Sequence, residues 1–287
     1  MYEIKDILVL AEGGPQDAGT IEYAVRLAST HRAHLTGAFA LPALRTDGPA
    51  AFVKGSAITE LLREFRSESV TVERTTHALF EHATRRAELA GEWRTIPPYF
   101  EKDVVVHARY ADLAIVSRGA SDRTEGGREI ETVPPVPLAQ AMVFVSGRPV
   151  LLLPPAIPPT LGRRVLVGWN ASREATRAVT DALPFLARAE AVELLIVDPD
   201  RRPEVHGPTP GANIARHLAR HDVKVEVRVV EAGSNDVGSV LLDRAAAFGS
   251  DLLVMGAYGH SRLTEFVFGG VTHTAMKRAE LPVLMSR

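Results

Sequence analysis

The segment that decides the reading is Asp251-Leu-Leu-Val-Met255, an apolar run of strand length that breaks straight into Gly256-Ala-Tyr-Gly259, nine further residues, and Gly269-Gly270-Val271. Glycines at 256, 259 and 269 let backbone N–H groups approach an anion closely, and a helix opening after them offers its positive end. Two readings fit this spacing: a loop around the phosphates of a nucleotide, or a tight strand-to-helix connection.

Working outward from that segment, the chain repeats itself. Tyr110-Ala-Asp-Leu-Ala-Ile-Val-Ser117 parallels Phe248-Gly-Ser-Asp-Leu-Leu-Val-Met255, and Lys5-Asp-Ile-Leu-Val-Leu10 parallels Arg164-Val-Leu-Val-Gly168. A helical period follows each opening strand, from Gln16 to His31 in one half and from Ser172, an expected N-cap, to Ala189 in the other. Second strands are expected at His34–Leu41 and Val192–Val197, and each half ends on a proline-led strand, Val150–Leu153 and Val283–Ser286. This internal duplication places domains at residues 1–155 and 161–287, with Pro154 to Pro159 as linker.

Alternation of short apolar runs with helical patterns predicts βαβ units, so each half is read as a doubly wound, open parallel-sheet α/β domain. The second half is expected to place strands near 164–169, 192–197, 223–230, 251–256 and 282–286, with a helix at Asn235–Phe248. In such sheets ligands bind beyond the carboxyl ends of the strands, where Asn170, Val197 and the Gly256 loop converge. The first half carries a longer helical insert, Ala57 to Leu89, whose mixed charge suits a solvated face.

Composition narrows the classes. The 287 residues suffice for two domains with real cores; 46% are apolar and 24% charged, as in ordinary globular proteins. A net charge of −2 gives no compositional argument for nucleic acid, and the absence of cysteine excludes disulfides and thiolate chemistry. No apolar stretch approaches the ~18 residues of a membrane span, and Met1-Tyr-Glu-Ile-Lys-Asp6 runs directly into a strand. The expected home is the cytoplasm, with no membrane partner.

The duplicated βαβ pattern, the closing Pro-Val-Leu strands and Gly256-x2-Gly259-x9-Gly269 together resemble a tandem universal stress protein over nearly the whole chain. The resemblance implies two Rossmann-like domains of the adenine nucleotide alpha hydrolase-like kind. It also implies ATP or another adenine nucleotide, with magnesium, as cofactor. Carried over by position, Gly256, Gly259, Gly269 and Val271 line phosphate and ribose, Asn170 faces the adenine, and Val197 borders the base. The family places Ser or Thr where this chain has Gly270, leaving one hydroxyl fewer; the Gly270 N–H remains, and Thr272 and Thr274 are candidates to compensate. Asn170 stands where an aspartate is usual and still offers a carbonyl acceptor. Trp169 beside it either borders the base or fills the core.

The first half reads as a degenerate copy. Ser117-Arg-Gly119 is followed by Asp122 and Glu125 before Gly126-Gly127, so acids stand where phosphate needs donors. Glu12-Gly13-Gly14-Pro15-Gln16-Asp17 distantly echoes the loop of ATP pyrophosphatases without its serines. Elsewhere, His217 and His221 suit a solvated helix end better than a metal pair, Asp198 and Asp200 suit turn chemistry better than magnesium, and Arg262 is either a phosphate contact or an exposed cation. No catalytic residue and no metal site is assigned.

Val150–Leu153 and Val283–Ser286 are apolar edges that pairing with each other would protect. Universal stress protein subunits commonly dimerise through this last strand, so the resemblance implies an intramolecular pseudo-dimer, with a further homodimer left open. Three functions follow: a stress-response nucleotide sensor signalling to an unidentified protein partner, a scaffold with no nucleotide, and a slow ATP hydrolase.

Overall fold

The computed structural model describes residues 3–40, 56–96, 101–118, 138–257 and 270–287. Contacts divide the chain into two units, one holding Ile4–Ser146 and one holding Gly147–Arg287.

In the first unit the chain runs β1 (Asp6–Ala11), α1 (Asp17–His31), β2 (His34–Ala40), α2 (Ser56–Arg86), β3 (Gly91–Ile96), α3 (Glu101–Ala108), β4 (Leu113–Ser117) and α4 (Leu138–Val145). Its strands pair in parallel in the order β3-β2-β1-β4. The central β1 is apolar throughout Ile7 to Ala11 and fully buried, as a strand covered on both faces must be.

Sequence periodicity predicts no strand at β3, because Gly-Glu-Trp-Arg-Thr-Ile carries little alternation. Packing makes it one. A Cβ on Gly37 of β2 would lie 2.5 Å from the Trp93 ring and 2.8 Å from Phe80, so only glycine lets Trp93 settle across the neighbouring strand. Trp93 Nε1 donates to Glu73 Oε1 at 2.9 Å, and its ring stacks on His77 with centroids 5.1 Å apart. The insert helix α2 is therefore more than a solvated face: Thr76, Phe80, Ala83 and Thr84 are buried along it.

The second unit runs β5 (Val150–Leu153), β6 (Arg164–Gly168), α5 (Arg173–Leu186), β7 (Ala191–Val197), a 3-10 turn (Pro199–Arg201), α6 (Pro203–His206), α7 (Ala212–Ala219), β8 (Val225–Val230), α8 (Val237–Phe248), β9 (Leu252–Gly256), α9 (Gly270–Arg278) and β10 (Val283–Ser286). Its order is β8-β7-β6-β9-β10-β5, parallel except for β5. β5 runs antiparallel to β10, with Val283 opposite Leu152 and Met285 opposite Val150. The two apolar edges thus cover each other, as their sequence requires, and the strand that the repeat assigns to the first half pairs inside the second unit.

One acid at the amino end of the sheet registers each unit. Asp112 accepts the N–H groups of Lys5 and Asp6 at 2.8 and 3.1 Å; Asp251 accepts those of Arg163 and Arg164 at 3.1 and 2.9 Å. Each carboxylate ties the start of the first strand to the fourth, fixing which residues face each other at the far, carboxyl end. Among the described residues no helix is long and apolar enough to cross a membrane.

Candidate functional site

β6 ends at Gly168, which pairs with Leu195 of β7 on one side and Met255 of β9 on the other. The chain passes from β6 to β7 on one side and from β9 to β10 on the other, so the strand order reverses between β6 and β9, the place where doubly wound sheets offer a ligand crevice. At the carboxyl ends of these adjacent strands lie Asn170, two residues past β6; Val197, the last residue of β7; and Gly256, the last of β9. Gly270 and Val271 open α9, the first exposed and the second half-buried. Gly259 and Gly269, with His260, Ser261 and Arg262, lie outside the described residues.

The two helix starts near the crevice differ in electrostatics. At α5, Ser172 caps as its sequence position predicts, its Oγ accepting the Ala175 N–H at 3.1 Å. Glu174 follows in the first turn, 4% exposed, bonded to Arg173 Nε at 2.6 Å. Burial alone would raise its carboxyl, yet hydrogen bonds from Arg173, its own backbone N–H and the Ser172 hydroxyl hold it below the ordinary carboxylate range. This helix start is capped by its own Ser172 and carries a negative charge. Gly256 packs directly on it: a Cβ there would lie 2.5 Å from the Ala175 nitrogen and the Glu174 carbonyl carbon. Its lack of a side chain is thus a packing requirement before it is anything else.

At α9 the first residue is bare. A Cβ on Gly270 would meet nothing within 4 Å, so the position has room for a larger residue and for an approaching group. Thr274, expected as a possible replacement for the missing hydroxyl, is committed elsewhere: its Oγ1 donates to Asp236 Oδ1 at 3.2 Å. Asp236 caps α8 through the Ser239 N–H at 3.1 Å, and hydrogen bonds led by the Ser239 hydroxyl hold its carboxyl below the usual range. Thr272 is buried.

Asn170 is exposed, and its Oδ1 accepts the Ser172 N–H at 3.1 Å across Ala171, whose φ is 55°. Trp169 is half-buried, and its N–H donates to the Leu195 carbonyl at 2.9 Å, extending the ladder past β6. Next to Val197, Asp198 sits at φ 48°, accepts the Ala232 N–H at 2.8 Å and faces Arg201 Nε at 3.2 Å, a turn lock between β7 and β8. His217 and His221 have ring centroids 4.9 Å apart, and among the described residues no group of three or more metal-ligating side chains gathers.

Two acids escaped sequence reasoning. Glu174 looks like any polar residue of a first helical turn until Gly256 is packed on it. Glu193, fully buried on β7, takes a fork from Arg244 of α8 and a 3.0 Å bond from Arg228 Nε of β8. A single acid inside the apolar run Ala-Val-Glu-Leu-Leu-Ile-Val was the available signal.

Residues 162–287 match the Universal stress protein family. This universal stress protein domain thus spans all of β6 to β10. Over the whole chain the fold is similar to the crystal structure of a universal stress protein from Archaeoglobus fulgidus DSM 4304, with a TM-score of 0.68 and 15% identity over 100% of this chain and 99% of that one. It is also similar to a functionally unknown protein from Pseudomonas aeruginosa PAO1, with a TM-score of 0.60 and 13% identity over 99% of this chain and 92% of that one. At these identities the likeness is one of fold. A comparison with curated proteins gave no match.

Proposed function

We propose that the chain is a tandem universal stress protein acting as a cytoplasmic nucleotide sensor, with its one nucleotide site in the universal stress protein domain. The observation that supports this is the placement of Asn170, Val197 and Gly256 at the carboxyl ends of neighbouring strands at the β6/β9 reversal, together with an uncrowded helix start at Gly270. Electrostatics orient the ligand. The α5 side, with its first turn capped by Ser172 and Glu174 ionised, suits a neutral base; the α9 side, with the Gly270 N–H and the positive end of a helix, suits phosphate. Gly259 and Gly269 would complete the phosphate loop, Val271 would border the ribose, and magnesium would accompany a triphosphate.

Loading would change the surface around the crevice and pass that state to a protein partner. A specific observation favours one competing reading, a scaffold without nucleotide: Gly256 is required by its packing on α5 whether or not a ligand binds. The test is mass spectrometry of small molecules released on denaturing the purified protein, followed by titration of the stripped chain with nucleoside triphosphates and magnesium. About one nucleotide per chain is expected; no released nucleotide and no heat with any triphosphate would leave the scaffold.

A further inference from the structure

The sheet of the second unit ends at β8, Val225-Glu-Val-Arg-Val-Val230, which pairs with β7 on one side and, among the described residues, with no strand on the other. Four of its six residues are valine and none is proline, and Val229 is 48% exposed. Its backbone groups alternate in direction. The Val230 carbonyl accepts the Asp198 N–H at 2.9 Å, so residues 226, 228 and 230 turn their N–H and C=O groups toward β7. Val225, Val227 and Val229 therefore present theirs outward. An antiparallel visitor must bring its own outward groups to them. When that visitor is β8 of a second copy, only registers that set odd-numbered residues against odd-numbered residues can form.

Charge selects one of those registers. With Val227 opposite Val227 of the second copy, each Glu226 faces an Arg228 across the pair and each Val225 meets a Val229. The charged positions are then the non-hydrogen-bonded pairs, where side chains stand closest. A slip of two residues one way sets Arg228 against Arg228, and the other way Glu226 against Glu226, so the neighbouring registers are repelled. Within the chain Arg228 donates from Nε to Glu193 Oε2 and from Nη2 to Glu226 Oε1, both at 3.0 Å, which leaves Nη1 and the second oxygen of Glu226 to meet the second copy. We propose that β8 is a self-complementary edge through which two copies of this chain pair antiparallel, with the two-fold axis at Val227. The edge strand of the first unit, β3, has the same spacing in Glu92-Trp93-Arg94, but it opens on Gly91 and Pro97-Pro98 follow it in sequence, residues that weaken edge pairing. The contact covers a single strand, so the dimer is a micromolar one, and it is independent of the nucleotide reading.

Sedimentation equilibrium of the full chain between about 1 and 200 µM is expected to show monomer and dimer in exchange, with the dimer weakening as salt rises. Glu226→Lys sets lysine against Arg228 in both charged pairs and should weaken the dimer by about tenfold or more, with circular dichroism showing that the variant is folded. Single cysteines read the register in a chain that has none of its own. Under mild oxidation Val227→Cys is expected to form a disulfide-linked dimer, because opposite residues of a hydrogen-bonded pair have Cα atoms about 5.5 Å apart. Val229→Cys, which this register sets opposite Val225, is expected to stay uncoupled. A wild type that is monomeric over the whole range, a dimer untouched by Glu226→Lys, or coupling of Val227→Cys no faster than that of Val229→Cys would each overturn the proposal.

Discussion

The two units share a strand order, β3-β2-β1-β4 in one and β8-β7-β6-β9 in the other, and a carboxylate that pins the first strand to the fourth. They part at the carboxyl end. After β1, the Asp17 carboxylate, 3% exposed, turns back to accept the Gly13 N–H at 2.7 Å and the Glu12 N–H at 3.4 Å, so the chain's own anion occupies the loop amides. After β6, the equivalent turn is closed by Asn170 and Ser172, and a neutral carboxamide remains at the surface. At the end of the fourth strand stand Ser117 in one unit and Gly256 in the other. The same scaffold thus has one mouth closed by its own side chain and one lined by a bare strand end, which shows how few residues separate a structural copy from a candidate site.

The largest effect should come from erasing that strand-end difference. Gly256→Ser copies the first unit into the second, but its Cβ would strike the α5 backbone, and we expect a loss of about 3 kcal/mol. The reverse change, Ser117→Gly, should cost under about 1 kcal/mol. Each unit holds one tryptophan, Trp93 and Trp169, so urea unfolding followed in Trp93→Phe and Trp169→Phe backgrounds reads the units separately. An unshifted midpoint for Gly256→Ser would disprove the close approach.

Next is a buried charge held by two arginines, Glu193 of the second unit. Glu193 lies one strand over from Arg228, where the first unit places Thr36 beside Glu92. Glu193→Gln should cost about 2 to 3 kcal/mol, the low end for a broken buried pair because both arginines are partly exposed; Thr36→Val should cost under about 1 kcal/mol. Burial raises the Glu193 carboxyl, but the bonds from Arg244 and Arg228 outweigh it and hold the pKa below the ordinary carboxylate value. The folded state therefore binds this proton less readily than the unfolded one. Its stabilisation is present at neutral pH and is lost as pH falls through the usual carboxylate range toward the folded value, so acid unfolding of Glu193→Gln should show a shallower pH dependence than wild type.

A smaller pair of changes tests the feature the units share. Asp251→Asn and Asp112→Asn each weaken two charge-assisted bonds, with about 1 to 2 kcal/mol expected at the buried Asp251 and about half that at the more exposed Asp112. Equal losses would mean that burial does not distinguish the two. The mildest change concerns ligand alone: Gly270→Ser has room for its side chain, should leave the unfolding midpoint in place, and should tighten nucleotide binding by up to about tenfold, or ~1.4 kcal/mol. Titration of both proteins decides it, and unchanged affinity would take Gly270 away from the phosphates.

Reading the sequence found the repeat, nine of the ten strands among the described residues to within a few residues, the Ser172 cap and the mutual cover of the Val150 and Val283 strands. These are local or periodic properties: an apolar run between turn residues states its burial, and two apolar edges must hide. The strand at Gly91–Ile96 was not legible, because its order comes from Trp93 lying over Gly37, a contact between residues far apart in sequence. Within the candidate site, Asn170, Val197 and Gly256 could be named from their place at strand ends, while Gly270 and Val271 came from the resemblance to the family's glycine pattern.

What each of those residues has left to offer is a different matter. The sequence by itself determined two doubly wound α/β copies and the strand ends where a ligand would lie, since these follow from hydrophobic period and chain order. Only the tertiary structure decided that Gly256 is bare because α5 lies against it, that Glu174 and Glu193 are buried and ionised, and that the Asn170 oxygen is already bonded. Hydrogen-bond capacity is finite and is spent on whichever neighbour the fold brings within about 3 Å, and a linear pattern does not record that neighbour.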